Sequence, residues 1–367
     1  MRVLLHTPLK PPDSSTPSGD REMARGLARL LRRLGHGVAM PALSRVAPGV
    51  PPADDHLALE RRARRQAARL IERWRALPVR HPERFDLWFT YHCYYRKPDW
   101  LGPIVSRALG IPYVIAEASH APRRAQGPTR LGHRAVERAL AAADLVLTVN
   151  PRDVAGVKTR LRPGAHQCRL PPFIDVRPFR AMSEHPQNDP PLLLSVGMMR
   201  ARDKLDSYRV LAQAFALLGA RTWQALLVGD GPARAEIEKL MAPFGKRVRF
   251  AGAVPREALV ALYATADLYV WPAINEAYGM AFLEAQAAGL PVVAGRSGGV
   301  AAVVADGETG LLAPAGDASA LAAAVARLLD DPAERARLAA GAMKRVASHH
   351  DERAAARALA SALKLLR

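Results

Sequence analysis

The chain has 367 residues, a length that predicts two domains rather than one hydrophobic core. Hydrophobic residues make up 49% of it and no run of 18 or more uncharged apolar residues occurs, which excludes a transmembrane helix and favours a globular protein of the cytoplasm. Two cysteines, Cys93 and Cys168, are too few for a disulfide framework, and we expect both to be buried thiols.

The formal net charge is +19, and it is concentrated in the first half of the chain. Residues 1–180 carry 32 Lys and Arg against 15 Asp and Glu, whereas residues 181–367 carry 21 against 19. A one-sided positive field attracts anionic partners such as membrane headgroups, phosphorylated substrates or nucleic acid. Nucleic acid is not expected, because aromatic residues make up 6% of the chain and do not alternate with the basic runs.

Strands and helices alternate along the first half, which predicts a parallel sheet covered by helices. A strand at residues 3–7 is followed by a helix at 18–35 that Gly35 ends. Residues 60–80 predict an arginine-rich amphipathic helix, whose apolar face either packs on the first sheet or lies on an anionic bilayer. Further strands are predicted at 85–92, 112–119 and 144–149.

A polar, proline-containing join at residues 179–191 precedes a second series of strands. These strands are predicted at 191–197, 223–229, 248–252, 267–273, 291–295 and 310–314. The predicted domains are therefore 1–180 and 181–349. An amphipathic helix at 350–367 follows, and we expect it to pack back on the first domain.

The stretch NEAYGMAFLEAQAAGLPVVAG, residues 275–295, predicts a loop, a helix, a glycine stop and a strand. A helix that begins near Gly279, with Met280 and Ala281 in its first turn, directs free N–H groups at a phosphate. Glu276 and Glu284 each accept two hydroxyls, and eight residues of helix separate them by about 12 Å, the span of a sugar plus a diphosphate. The alternative is that both glutamates cap and solubilise a helix start.

Several motifs in register resemble the C-terminal domain of family 4 of the retaining GT-B glycosyltransferases: SVGMMRARDKLDSY, LLVGDGP, VRFAG, the stretch above and GGVAAVVADGETGLLAP. The resemblance is dense over residues 192–329 and looser in the first domain. It implies an α/β protein of the GT-B fold, with two Rossmann-like doubly wound domains that face a central cleft. The first domain would bind the acceptor and the second a nucleotide sugar, which makes UDP-sugar or GDP-sugar the co-substrate without a further cofactor.

The resemblance also implies roles for residues of the second domain. Glu284 binds the ribose of the nucleotide and Glu276 the donor hexose, on either side of the diphosphate. Family members carry Gly-Arg-Leu and a later Lys after the first strand of this domain, but here Gly197 is followed by two methionines. Arg200 and Lys204 are therefore the candidates for the diphosphate.

Loop glycines and acids supply the remaining candidates of both domains. Asp230 lines the nucleotide pocket or forms a turn, and so do two glycines at 298–299. Gly19 matches the family's glycine-rich first loop or belongs to a simple N-cap turn. His92 ends a strand and is either catalytic or structural. The acceptor-side residue of the segment PYVIAEASH stays open between Glu117, Ser119 and His120.

Departure of a nucleoside diphosphate requires stabilisation of negative charge, which Arg200, Lys204 and the helix start near Gly279 supply without a metal. The sequence shows no His, Cys or Glu cluster at metal spacing, in agreement with metal independence. We expect same-face attack by an acceptor hydroxyl of a lipid-linked glycan, glycolipid or surface polysaccharide, at the inner face of the cytoplasmic membrane. The alternatives are a nucleotide-sugar epimerase, a non-catalytic sugar-nucleotide binder and a basic nucleic-acid-binding protein.

Overall fold

The computed structural model describes residues 1–9, 12–13, 18–41, 43, 53–180 and 188–366. The chain divides into two compact units, Met1–Pro172 with Glu352–Arg367 and Phe173–Asp351. Each unit contains one six-stranded parallel sheet with flanking helices, which confirms the predicted α/β class with two doubly wound domains. Residues 181–187 of the predicted join lie outside the described residues.

The first unit is built on the strand order β2-β1-β3-β4-β5-β6. The strands are β1 (Arg2–His6), β2 (Gly37–Ala39), β3 (Leu87–Cys93), β4 (Tyr113–Ala118), β5 (Leu145–Thr148) and β6 (His166–Arg169). The helices are α1 (Gly19–Arg33), α2 (Ala53–Ala76), α3 (Gly102–Leu109), α4 (Arg130–Ala142) and α5 (Asp153–Lys158). The central strands β4 and β5 are buried along their whole length, as expected where helices cover both faces of a sheet.

Helix α1 has the ends that its sequence predicts. The Ser18 hydroxyl caps the helix by accepting a hydrogen bond from the Arg21 N–H at 3.2 Å. At the other end Gly35 takes a φ of 81°, and its N–H donates to the Arg32 carbonyl at 2.9 Å. The predicted stop at Gly35 is confirmed.

Helix α2 packs its apolar face on the core of the first unit. Ala63 and Ala67 are buried there, and the Trp74 indole N–H donates to the Phe85 carbonyl at 3.0 Å. The Arg84 guanidinium lies 3.8 Å from the centroid of the Trp74 ring. The packing alternative is therefore confirmed for this face, and insertion of the same face into a bilayer is wrong.

The second unit is built on the strand order β12-β11-β10-β7-β8-β9. Its strands are β7 (Leu192–Val196), β8 (Gln224–Val228), β9 (Val248–Gly252), β10 (Leu268–Trp271), β11 (Val292–Gly295) and β12 (Gly310–Ala313). Its helices are α6 (Arg177–Arg180), α7 (Asp203–Ala216), α8 (Arg234–Met241), α9 (Arg256–Thr265), α10 (Met280–Ala287), α11 (Ala318–Asp330) and α12 (Pro332–Arg345).

The last helix, α13 (Glu352–Leu363), belongs to the first unit. It contacts α1, where Arg29 Nε lies 2.8 Å from Glu352 Oε1, and its Leu359 is fully buried. Cys93 is buried while Cys168 is partly exposed, so the expectation of buried thiols holds for Cys93 alone. Among the described helices, none combines the length and the apolar character that crossing a bilayer requires.

The strand order reverses once in each sheet, between β1 and β3 in the first unit and between β7 and β10 in the second. Doubly wound sheets bind ligands beyond the carboxyl ends of their strands at such reversals, because the two following loops diverge there and leave a crevice. The loops after these four strands are therefore where the functional side chains are expected.

Candidate active site

Two predicted site residues meet at the reversal of the second sheet. Lys204 is the second residue of α7, which follows β7, and Glu276 lies in the loop between β10 and α10. Lys204 Nζ lies 2.5 Å from Glu276 Oε2 and 5.3 Å from the centroid of the Trp271 ring. The side chains of Lys204 and Glu276 are 26% and 19% exposed, so this polar pair remains open to solvent.

The loop that carries Glu276 is held by close backbone contacts. Asn275 takes a positive φ of 51°, and its side-chain amide donates to Asp203 Oδ2 at 2.9 Å. Gly298 takes a φ of 56°, and a Cβ at this position would lie 1.5 Å from the Glu276 carbonyl oxygen. Glycine at 298 therefore lets a neighbouring loop press against the Glu276 loop and fix it.

Helix α10 begins where the sequence predicts. Gly279 precedes it with a φ of 74°, and Met280 and Ala281 are its first two residues. The first N–H groups of a helix have no intrahelical acceptor, so this end of α10 can donate to an anion. Glu276, however, lies before the helix, so the expected helical spacing of about 12 Å between it and Glu284 is wrong.

Glu284 is buried on α10 and its carboxylate is bonded on both oxygens. Its Oε1 lies 3.1 Å from Arg256 Nη1, and its Oε2 accepts a hydrogen bond from the Tyr263 hydroxyl at 3.1 Å. Burial and the Glu284 charge raise the pKa of Tyr263 well above its usual range, so the hydroxyl keeps the proton that it donates. Arg256 and Tyr263, both on α9, thus orient the carboxylate.

Three other predicted residues of the second unit lie in the loops after β7 and β8. A Cβ on Gly197 would lie 2.9 Å from the Trp271 ring, so glycine lets the end of β7 approach that side chain. Asp230 is 51% exposed, with its Oδ2 3.6 Å from Arg234 Nη1. Arg200 is exposed.

The reversal of the first sheet places an imidazole among carboxylates. His92 Nδ1 lies 3.1 Å from Asp20 Oδ1, next to Gly19 at the start of α1, and 3.8 Å from Glu117 Oε1 at the end of β4. Burial by itself lowers the pKa of His92, but the charges of Glu117, Asp20 and Asp153 outweigh it and raise the pKa to about 9. At neutral pH His92 is therefore an imidazolium, a proton donor rather than a general base.

The three acceptor-side candidates, Glu117, Ser119 and His120, contact different side chains. Glu117 faces His92, whereas the Ser119 side chain hydrogen-bonds the Asp153 carboxylate. His120 belongs to another group, since its Nε2 lies 3.2 Å from Glu137 Oε1 on α4.

The ligating atoms of His120, His133 and Glu137 all lie within 4.8 Å of one another. The expectation that the chain has no cluster at metal spacing is therefore wrong. His133 and Glu137 are four residues apart on one face of α4, and the fold adds His120 from the loop after β4.

Residues 190–331 match the sequence profile of the family described as Glycosyl transferases group 1. The chain is 31% identical over 261 residues to alpha-D-kanosaminyltransferase of Streptomyces kanamyceticus, a match that covers 65% of this chain and 67% of that enzyme. The chain belongs to the group 1 glycosyltransferases.

A second relative in the family is the GDP-mannose-dependent alpha-(1-6)-phosphatidylinositol monomannoside mannosyltransferase of Mycolicibacterium smegmatis, 30% identical over 251 residues. That match covers 63% of this chain and 64% of the relative, so the chain spans about two thirds of the length of these two enzymes. The structure of Anabaena HepE in complex with UDP superposes with a TM-score of 0.71 at 18% identity, covering 99% of this chain and 100% of HepE. This similarity confirms the predicted GT-B fold class.

The profile match contains Lys204, Glu276 and Glu284. Arg256 and Tyr263 were not predicted from the sequence, although both lie in the same matched segment. Nothing in their spacing indicates that they meet Glu284, because α9 and α10 come together only through the packing of the second unit. Their spacing places both on one face of a helix, which indicates a shared partner but not its identity.

We expect Gly298→Ala to disrupt the Glu276 loop, because the added methyl group overlaps a carbonyl that the chain cannot move cheaply. Gly307→Ala is the matched control, with a φ of 76° but no atom within 4 Å of the added Cβ. Both variants bear backbone strain of about 1–2 kcal/mol. Urea unfolding of the second unit should show a larger loss in the free energy of unfolding for Gly298→Ala than for Gly307→Ala. Equal losses in the two variants would contradict the role of Gly298.

The pKa of about 9 at His92 predicts a pH-dependent stability. The folded pKa exceeds the usual value of 6.5, so the stabilisation is complete below about pH 6.5 and is lost as the pH rises through about 9. Between these values the free energy of unfolding of the wild type should fall more steeply than that of His92→Gln. His166→Gln removes an exposed histidine and should behave as the wild type. Parallel curves for wild type and His92→Gln would contradict the assigned pKa.

Proposed function

We propose that this glycosyltransferase is a retaining enzyme of family 4 that moves a hexose from a UDP-sugar or GDP-sugar to an acceptor hydroxyl. The contact between Lys204 and Glu276 carries the proposal. It unites a cation suited to phosphate with a carboxylate suited to sugar hydroxyls, at the reversal of a doubly wound sheet and before the start of α10.

Donor binding follows from the charges of the second unit. Lys204 and the N–H groups at the start of α10 bind the diphosphate. Because Lys204 then leaves Glu276, the Glu276 carboxylate accepts hydrogen bonds from the hydroxyls of the hexose. Glu284, whose carboxylate Arg256 and Tyr263 orient, accepts the adjacent hydroxyls of the ribose. The solved complex of HepE with UDP, a protein of the same fold, supports a uridine nucleotide among the donors to be tested.

The reaction breaks the bond between the anomeric carbon and the leaving diphosphate, on which negative charge accumulates. Lys204 stabilises that charge, and Arg200 is close enough in sequence to assist from its exposed position. The acceptor hydroxyl attacks from the same face and passes its proton to the departing phosphate, so that no enzyme nucleophile is needed. Mass-spectrometric detection of a glycosylated carboxylate of the chain would overturn this route.

The first unit binds the acceptor. Asp20 and Glu117 present carboxylate oxygens that accept hydrogen bonds from acceptor hydroxyls, while the His92 imidazolium balances their charge. The mannosyltransferase relative is named for a phosphatidylinositol mannoside acceptor, which supports a lipid-linked or glycolipid acceptor here. A chain that acts on such an acceptor works at a membrane surface, and the net charge of the first half suits the anionic inner face of the cytoplasmic membrane.

A thermal-shift screen with UDP, GDP and ADP identifies the nucleotide, because a ligand of the folded state raises the melting temperature. With that nucleotide, Lys204→Ala should weaken binding of the nucleoside diphosphate by about 10-fold or more and leave binding of the nucleoside nearly unchanged, since Lys204 acts on phosphate. Glu284→Gln should weaken both ligands and reduce the preference for ribose over 2′-deoxyribose, since the ribose hydroxyls are its partners.

Lys239→Ala and Glu257→Gln are the matched controls, since both remove an exposed charge of the same unit. Both should bind nucleotides as the wild type does. Wild-type affinities in Lys204→Ala and Glu284→Gln, or the absence of a shift with every nucleotide, would contradict the proposed donor site. Formation of an epimerised nucleotide sugar instead of a transferred hexose would establish the epimerase alternative.

The apolar face of α2 packs in the core of the first unit, so it does not insert into a bilayer. Contact of α2 with a membrane would therefore be electrostatic, through its exposed arginines. We expect the chain to bind vesicles of anionic lipid at low salt and to leave them at high salt. Replacement by Gln of four exposed arginines of α2 should abolish this binding: Arg61, Arg62, Arg64 and Arg65. The same replacement of four exposed arginines of the second unit is the control: Arg247, Arg249, Arg327 and Arg337. Equal binding by both variants would contradict a role for α2.

A further inference from the structure

A group of three side chains in the first unit, His120, His133 and Glu137, takes no part in the proposed transfer. The side chains of His120 and His133 are 2% and 3% exposed, and Glu137 is 31% exposed. Their rings and carboxylate converge between the loop after β4 and the helix α4. Buried imidazoles that converge on a carboxylate with one side open to solvent form a site that an ion can enter.

Two of the three distances within the group agree with tetrahedral coordination. Glu137 Oε1 lies 3.2 Å from His120 Nε2 and 3.4 Å from His133 Nε2. Ligand atoms at tetrahedral angles around a Zn²⁺ ion, with bonds of 2.0–2.1 Å, are about 3.3 Å apart. The carboxylate therefore lies at ligand spacing from each histidine before any ion is added, the three ligand atoms lie within 4.8 Å of one another, and water can complete the fourth position.

Hydrogen bonds do not satisfy this group by themselves. His120 Nε2 lies 3.2 Å from Glu137 Oε1 and 3.1 Å from Arg160 Nε. A ring nitrogen either donates to the carboxylate or accepts from the guanidinium, so one of the two contacts is always unfavourable. A metal ion removes this conflict, because it takes lone pairs from His120, His133 and Glu137 at once.

The Arg160 guanidinium would compete with a metal ion for Glu137. Its Nε lies 3.1 Å from Glu137 Oε1, and its side chain is 47% exposed. A guanidinium in this place shows that the group attracts positive charge. Because the side chain already reaches solvent, it can turn outward when a doubly charged ion binds.

We propose that His120, His133 and Glu137 form a zinc-binding site in which Arg160 is displaced by the ion. Two imidazole nitrogens and one carboxylate oxygen suit Zn²⁺ better than Mg²⁺ or Ca²⁺, which prefer oxygen ligands. The bound ion ties the loop after β4 to α4, and so stabilises the side of the first unit on which that loop lies. This role is independent of the donor chemistry of the second unit.

The test is isothermal titration of the untagged, EDTA-treated full chain with ZnCl₂. We expect one Zn²⁺ per chain with a Kd of about 1 µM or lower, and a higher melting temperature with Zn²⁺ present. Titration with Co²⁺ should give the intense visible absorption of a tetrahedral site. His133→Gln and Glu137→Gln should each weaken Zn²⁺ binding by about 100-fold, because each removes a ligand.

Arg160→Ala should bind Zn²⁺ about 10-fold more tightly, because the competing cation is gone. This position is half exposed, so the variant tests the proposal even if His133→Gln fails to fold. His166→Gln, which removes an exposed histidine of the same unit, should bind as the wild type does. A folded wild type that binds less than one equivalent at about 100 µM Zn²⁺, or equal binding by wild type and Glu137→Gln, overturns the proposal.

Discussion

The ion pair between Lys204 and Glu276 joins the start of α7 to the loop before α10, the two segments that follow the strands at which the order of the second sheet reverses. In water such a pair at a surface contributes little, about 0–1 kcal/mol, because solvent screens both charges. The pair matters because of where it holds its two charges rather than because of the stability that it adds. The pair keeps a cation and a carboxylate at one place, so that a ligand with negative charge at one end and hydroxyls at the other finds complementary groups for both.

The second carboxylate of the site is held in a different way, and the difference follows from burial. Glu284 is 8% exposed, and an ionised carboxylate there requires compensation, which Arg256 and the Tyr263 hydroxyl provide. Both partners come from the same helix, α9. Glu284 is therefore oriented by its own unit, whereas in the proposed donor binding Glu276 exchanges Lys204 for the hexose. In that proposal one carboxylate is preorganised and the other is released by the charge of the diphosphate.

The sequence predicted the elements whose pattern is local and missed the contacts that are not. The helix start near Gly279 and the helix stop at Gly35 were predicted correctly, because glycine's freedom at positive φ is a property of a single residue. The partners of Glu284 could not be predicted, since they sit on another helix. The group around His120 was missed for the same reason, although its two members on α4 are one helical turn apart.

The first unit shows why net charge alone does not describe a site. Residues 1–180 carry an excess of 17 positive charges, yet the reversal of its sheet is lined by carboxylates. Asp20 and Glu117 raise the pKa of His92 to about 9, so this place holds a proton that the surrounding basic surface would otherwise repel. A basic surface attracts anions, whereas carboxylates accept hydrogen bonds, so one unit carries two separate chemical features. An acceptor with both an anionic carrier and free hydroxyls would use the two together.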